Sequence, residues 1–531
     1  MALVLLPPRL PGLRGRAATL VLCCLARTAA AQQGGKVTQE EHPPIAVHRC
    51  TAGGGCAKEH GGAVTLDSQY RWVHNKSGYN TCLKSKGWVE KLCPDGPTCA
   101  ARCAVDGVDL KGYRDTYGIK GVDGGLEMRF GSKGKYGMNY GSRVYVLGDH
   151  EHYKVWMLKN REFSFDVDVS HLPCGLNGAV YFIAMDSHGE RGTGENTAGA
   201  KYGLGYCDAM CPRGQRFLYG EANTEEWDPK TSTGRYGACC PELDIWEANR
   251  NATAMTVHKC DHVKPMRCTG KDCSTACDRD GCQFNPFEAG HHGFYGPGLI
   301  LDTNKPFTVV TQFVTEDGSD DGALVDIRRH YVQDGRIIEN PDSLKEGGSH
   351  CRAGLMKHFG AVLEQGMVLA LSLWDDTSTQ MTWLDSPSSL HKSAMKGPCF
   401  GRAENIRKKE TDSYVRYLNL RHGEIGSTAV VPAGLPWFCQ PWVLVFLGAA
   451  AVASAASWAV LQVRAGQPLP ASLQGLLAGL TRSTADDSRG YAPPSAAIPE
   501  SRELGAVPEK RSQRSFFAGC CSRRCGRPPN A

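Results

Sequence analysis

Phe163-Ser-Phe-Asp-Val-Asp-Val169 sets apolar against polar residues one by one, the period of a half-buried strand rather than of a helix. Phe307-Thr-Val-Val-Thr-Gln-Phe313 repeats the pattern, and Met367-Val-Leu-Ala-Leu-Ser-Leu373 is a short apolar run ending at a polar turn. Turn signals are dense around them: Asp123-Gly, Asn177-Gly, Asp317-Gly, Asp321-Gly and Asp334-Gly. Helical period is scarce, and Ala353 to Gln365 is its best example. Gly accounts for 62 of 531 residues, above the usual ~7%. Many strands with neither a βαβ alternation nor an internal repeat predict a mainly β, two-sheet sandwich.

The ends differ from this body. Residues 1–31 hold four Arg and no acid, and residues 464–531 hold nine Arg, one Lys and five acids. With a net charge of +5 for the whole chain, the part between is mildly acidic and has no electrostatic footprint for nucleic acid. Arg9, Arg14 and Arg16 precede the apolar run Ala17 to Ala26, and Thr28-Ala-Ala-Ala31 offers small residues for cleavage, so 1–31 reads as a secretory signal. Residues 442–463 carry no charge, begin at Trp442 and are closed by Arg464. That length matches the ~20 residues of a transmembrane helix. The expected organisation is therefore a body at 32–430, a juxtamembrane linker at 431–441, a span at 442–463 and a disordered basic cytoplasmic tail at 464–531. The expected location is the cell surface, as a single-pass membrane protein with its body outside.

Cysteine usage fits that compartment. Eighteen of the 24 Cys lie between Cys50 and Cys399, an even number. The cluster Cys260, Cys268, Cys273, Cys277, Cys282 lacks the paired C-x₂-C spacing of zinc sites, so disulfides are expected and no metal. Asn75-Lys-Ser77 and Asn251-Ala-Thr253 are glycosylation sequons.

Chemistry concentrates in Cys239-Cys-Pro-Glu-Leu-Asp-Ile-Trp-Glu-Ala-Asn249. On a strand Glu242 and Asp244 share a face, and strict alternation puts Glu247 on the other. A β-bulge after Asp244 would bring it back. Paired carboxylates flanking a sugar bond are what double displacement requires: one attacks the anomeric carbon, the other protonates the leaving oxygen and then deprotonates water. A third acid beside the nucleophile holds its orientation and ionisation. Three acids in six residues also describe an exposed strand edge, so the surrounding motifs decide.

Those motifs are His42-Pro-Pro, Arg71-Trp-Val-His74, Glu162-Phe-Ser-Phe-Asp-Val-Asp168, Leu172-Pro-Cys-Gly-Leu-Asn177, Asn196-Thr-Ala-Gly-Ala-Lys-Tyr202, Gly205-Tyr-Cys-Asp208, Glu242 to Asn249, Phe294-Tyr-Gly-Pro-Gly298, Ser372-Leu-Trp-Asp-Asp376 and Gly423-Glu-Ile-Gly-Ser427. In this order the chain resembles the family-seven glycoside hydrolases, retaining cellobiohydrolases and endoglucanases, over roughly residues 37–430.

The resemblance implies a concanavalin-like β-jelly-roll sandwich with long loops and a glucan-binding cleft. It implies Glu242 as nucleophile, Glu247 as acid/base and Asp244 as the residue assisting the nucleophile. His258 matches a histidine near the leaving group, and Tyr181 and Asp208 match residues around the cleaved sugar. Trp72, Trp374 and Trp383 match sugar-stacking tryptophans, and Tyr70 stands where better-known members have another. A flat ring buries an apolar pyranose face at little entropic cost. The implied bridges are Cys50–Cys56, Cys82–Cys103, Cys93–Cys99, Cys174–Cys399, Cys207–Cys240, Cys211–Cys239, Cys260–Cys277, Cys268–Cys273 and Cys282–Cys351. No cofactor is implied.

Departures bear on the mode of attack. The stretch Trp227 to Cys239 is short, Cys260–Cys282 lacks a long insertion, and Thr377-Ser-Thr-Gln380 lacks a roofing tyrosine. Gly322-Ala-Leu-Val-Asp-Ile-Arg-Arg329 resembles the endoglucanase type. The expectation is a monomeric β-1,4-glucanase acting on cellulose or another β-1,4-glucan, leaning to endo attack. An exo-acting cellobiohydrolase and a catalytically silent cellulose-binding wall protein are the alternatives.

Overall fold

The computed structural model describes residues 33–135, 137–193, 196–386, 395–399 and 405–429. The expected signal, linker, span and tail lie outside these residues. Among the described residues no helix is long and apolar enough to cross a membrane.

Two mainly antiparallel sheets stack as the alternation requires. The eight-stranded sheet runs Cys282–Phe284, Thr253–His258, Glu242–Ala248, Asn177–Ile183, Met367–Trp374, Ser142–Leu147, Ala63–Leu66, with Val155–Trp156 beside Met367–Trp374. The ten-stranded sheet runs Arg336–Glu339, Leu324–Gln333, Phe307–Thr315, Arg161–Asp168, Tyr414–Gly423, Gly125–Arg129, Ile119–Val122, with three short strands off this path. Neighbours are mostly distant in sequence, as in a jelly roll and unlike a meander.

Register sorts each strand into two faces. Val180, Leu371 and Val144 pair in one row of the eight-stranded sheet, and Tyr181, Ala370 and Tyr145 in the next. The first row belongs to the core between the sheets. There Phe182 meets Phe163 at 5.1 Å between ring centroids, and Trp246 meets Phe165, Phe307 and Tyr331 at 6.3, 5.8 and 6.3 Å. Edge-to-face geometry suits such rings. The other face carries Arg143, Tyr145, Ser372, Trp374, Asn177 and Tyr181.

The strands expected at 307–313 and 367–373 fall inside Phe307–Thr315 and Met367–Trp374, the one expected at 163–169 overlaps Arg161–Asp168 and runs one residue past it, and the helix forms at Leu355–Leu363. Asp123-Gly and Asp334-Gly are two-residue hairpin turns; at the second, both residues take positive φ (51° and 73°), as a type I′ turn demands. Asn177-Gly is a correction: both residues lie inside the strand Asn177–Ile183. The Asn177 side chain bonds across to the neighbouring strand instead of closing a turn. All nine expected disulfides are present.

Candidate active site

The strand Glu242–Ala248 is buried along its whole length. Against Thr253–His258, Glu242 pairs with His258, Asp244 with Thr256 and Glu247 with Ala254. The partners are spaced by two, so they share a face; Asp244 and Glu247 are spaced by three. The extra residue is a bulge, and it recurs on the other side, where Trp246 pairs with Val180 and Leu243 with Phe182. Ile245 is the surplus residue common to both ladders. The bulge turns Glu247 onto the face of Glu242 and Asp244, which is the face directed away from the core between the sheets.

Asp208 joins this trio. Ala209 N–H donates to Glu242 Oε2 at 3.0 Å, while Tyr206 Oη and Met210 N–H donate to the Asp208 carboxylate at 2.6 and 2.7 Å. Disulfides on both sides, Cys207–Cys240 and Cys211–Cys239, tie the Asp208 loop to the residues just before Glu242. Tyr181 Oη lies 3.4 Å from Tyr206 Oη. His258 Nε2 is 3.2 Å from Asp244 Oδ2, and its Nδ1 lies 2.8 Å from the Asp278 carbonyl. Asn177 Nδ2 donates to Glu247 Oε1 at 2.9 Å, and its Oδ1 accepts from Ala248 N–H at 3.0 Å.

Burial governs the charge state. Glu242, Asp244, Glu247 and Asp208 are each under 10% exposed (7, 6, 9 and 9%). Burial, then the charges of Asp244 and Asp208, push Glu242 well above the carboxylate range. Burial and Asp244 push Glu247 up to about 8, against the opposing pull of His258 and Asn177. Burial raises Asp208 as well. Burial alone would lower His258, but its hydrogen bond to Asp244 and the charge of Asp244 outweigh this and lift it to about 8. The cluster therefore holds fewer charges than it has acids at neutral pH. Glu242, Asp244 and His258 each offer a ligand atom within 4.8 Å of the others, a donor set also able to hold a divalent cation.

Of the expected aromatic residues, Trp374 and Trp383 lie beside this centre, while Tyr70 and Trp72 lie past the far edge of the sheet. Trp374 follows the register of Asn177, and its ring stacks on Trp383 at 6.2 Å and 28°. Asp385, on the same short helix as Trp383, accepts from Gly175 N–H and from Asn249 Nδ2 at 2.7 Å each, fixing that helix to the far end of the acidic strand. Burial raises Asp385 to about 6. Trp72 lies 4.4 Å from His74, ring to ring, and Tyr70 ends the turn Ser68–Tyr70 beyond the edge strand Ala63–Leu66. All four rings are partly exposed. Asn177, Tyr206 and Asp385 join the site although the sequence alone marks none of them as a site residue. Asn177 and Tyr206 lay inside quoted motifs, but only the register shows where they point.

The model of glycosyl hydrolase family 7 matches residues 34–353 and 343–429. A cellobiohydrolase of that family from Daphnia pulex is 38% identical, with a TM-score of 0.71 over 75% of this chain and 100% of its own. A cellobiohydrolase from Melanocarpus albomyces, solved with cellotetraose, is 34% identical, with a TM-score of 0.68 over 75% and 99%. The endocellulase EGI of Humicola insolens is 34% identical, with a TM-score of 0.63 over 75% and 100%. With most of its length matched by the family model, the chain belongs to glycosyl hydrolase family 7, the cellulases that include cellobiohydrolases and endoglucanases.

Proposed function

We propose that the protein is a retaining β-1,4-glucanase that cleaves cellulose by double displacement. The observation that carries the reading is the bulge at Ile245, which gathers Glu242, Asp244 and Glu247 on one face. In the first step Glu242 attacks the anomeric carbon as Glu247 gives its proton to the departing glycosidic oxygen. The bond to that oxygen breaks and a glycosyl ester forms on Glu242. In the second step water gives a proton to Glu247 and attacks the same carbon, releasing Glu242 with the configuration retained.

The electrostatics support the role of Glu247. A Glu247 lifted to about 8 keeps its proton at neutral pH, as a general acid must. Asp244 stands beside the nucleophile with its carboxylate 3.2 Å from His258 Nε2, where it can hold the orientation of Glu242. Tyr181 and Asp208 border the reacting sugar, and Tyr70, Trp72, Trp374 and Trp383 give platforms along the chain. The short loops favour an open cleft and endo attack; the likeness to the Daphnia pulex cellobiohydrolase favours the exo reading. Soluble substituted cellulose separates them: endo attack drops viscosity early, exo attack releases cellobiose with little change. The decisive test is Glu242→Gln, which abolishes hydrolysis of cellooligosaccharides; full activity in that variant would sink the reading.

The signal read at 1–31 and the charge-free segment 442–463 support a location at the cell surface with the glucanase body outside. Protease treatment of intact cells then removes the activity, and release of all activity into the medium contradicts the anchor.

A further inference from the structure

Arg329 is 4% exposed and has no carboxylate within ion-pair distance among the described residues. A buried guanidinium without a counter-ion is costly and calls for a reason. It belongs to the strand Leu324–Gln333 of the ten-stranded sheet, yet its Nη2 donates across the sandwich to the carbonyl oxygen of Ile245. The same Nη2 lies 3.3 Å from Met255 Sδ. Nε donates to Thr311 Oγ1 at 3.2 Å, on the neighbouring strand and in direct register with Arg329.

Both residues met by Nη2 belong to the bulge. Ile245 is the surplus residue, and Met255 is the one residue that stands opposite the pair Ile245–Trp246. A bulge leaves its extra residue outside the ladder, and a buried carbonyl there needs a donor. We infer that Arg329 is a positioning residue that holds the Ile245 bulge, and through it the aim of Glu247 relative to Glu242. This rests on the reading of Glu247 as the acid/base. Thr311 fixes the plane of the guanidinium, and the fork reaches the backbone oxygen of the bulge's surplus residue.

The test compares the wild type with Arg329→Met, which keeps side-chain length and removes the donor, and with Arg329→Lys, which keeps a cation without the planar fork. Each is assayed on cellotetraose and on an aryl cellobioside with an activated leaving group. A misplaced acid/base costs about 10²-fold in kcat/KM on cellotetraose, and much less in kcat/KM on the activated glycoside, whose first step needs no proton. Arg329→Lys recovers part of the loss.

Equal loss on both substrates, or full activity of Arg329→Met, overturns the inference. If Arg329→Met fails to fold, Thr311→Val carries the same comparison: a smaller loss confined to cellotetraose supports the clamp, and no loss or an equal loss overturns it. A wild type without hydrolysis of either substrate would instead sink the proposed function.

Discussion

Arg161–Asp168 and Glu242–Ala248 are two strands rich in buried acid, one in each sheet, and they treat their carboxylates in opposite ways. In the first, Glu162 accepts from Gln312 Nε2, Gly426 N–H, Thr428 N–H and Thr428 Oγ1. Asp166 accepts from Thr308, Asn419 and both arms of Arg421. Burial would raise Asp166, but Arg421 overrides it and holds the carboxyl below its usual range. In the second strand the described donors are one N–H for Glu242, one amide for Glu247 and His258 for Asp244, and the acids face one another. A bulge adjoins each, in Glu242–Ala248 itself and, for Arg161–Asp168, in its partner Tyr414–Gly423. Burial and a bulge therefore do not mark a reactive acid; scarcity of donors beside other acids does.

Glu242→Gln separates the strands most sharply. It is expected to cost about 10⁴-fold or more in kcat on cellooligosaccharides while the fold persists by near-ultraviolet circular dichroism. Glu247→Gln is expected to lose about 10²–10⁴-fold on the same substrates but far less on an activated aryl cellobioside. Asn177→Ala, which removes the one amide on Glu247, is expected to lower kcat about 10-fold.

Thermal melts read the contrast in another way. Glu247 is raised from 4.5 to about 8 and His258 from 6.5 to about 8. Each contributes stability that is full below its unfolded value and lost as pH rises through the folded one. Tm should therefore fall between pH 5 and pH 8, and Glu247→Gln should flatten that slope. Asp166 has the opposite sign: its contribution is present above 3.8 and lost as pH falls through its lowered value. Asp166→Asn is expected to destabilise by roughly 1–3 kcal/mol at neutral pH and to leave kcat unchanged. A catalytic loss there would erase the distinction between the strands.

Period-2 alternation made the strands around Phe163 and Phe307 legible, and a short apolar run closed by a polar turn marked the one at Met367, which is buried on both faces. The Asp-Gly turns at 123 and 334 were legible because only such residues take positive φ cheaply. Asn177-Gly misled for the same reason: the dipeptide carries the turn signal, and only the facing strand shows that the amide is engaged elsewhere. The three acids were visible, and the bulge they need could be stated as a condition. Its cause could not be read locally, since the donor on Ile245 comes from Arg329, 84 residues on and in the other sheet. The disulfide pairing followed from the resemblance; spacing alone leaves too many connectivities.

The bridges Cys207–Cys240 and Cys211–Cys239 have a consequence for how the protein is made. They rivet the Asp208 loop to the root of the acidic strand, so the geometry around Glu242 is finished by oxidation and not by folding of the sandwich alone. A chain synthesised among reductants would assemble its sheets and lack the final alignment, which ties the appearance of sugar-cleaving competence to the chemistry of the compartment in which the thiols are joined.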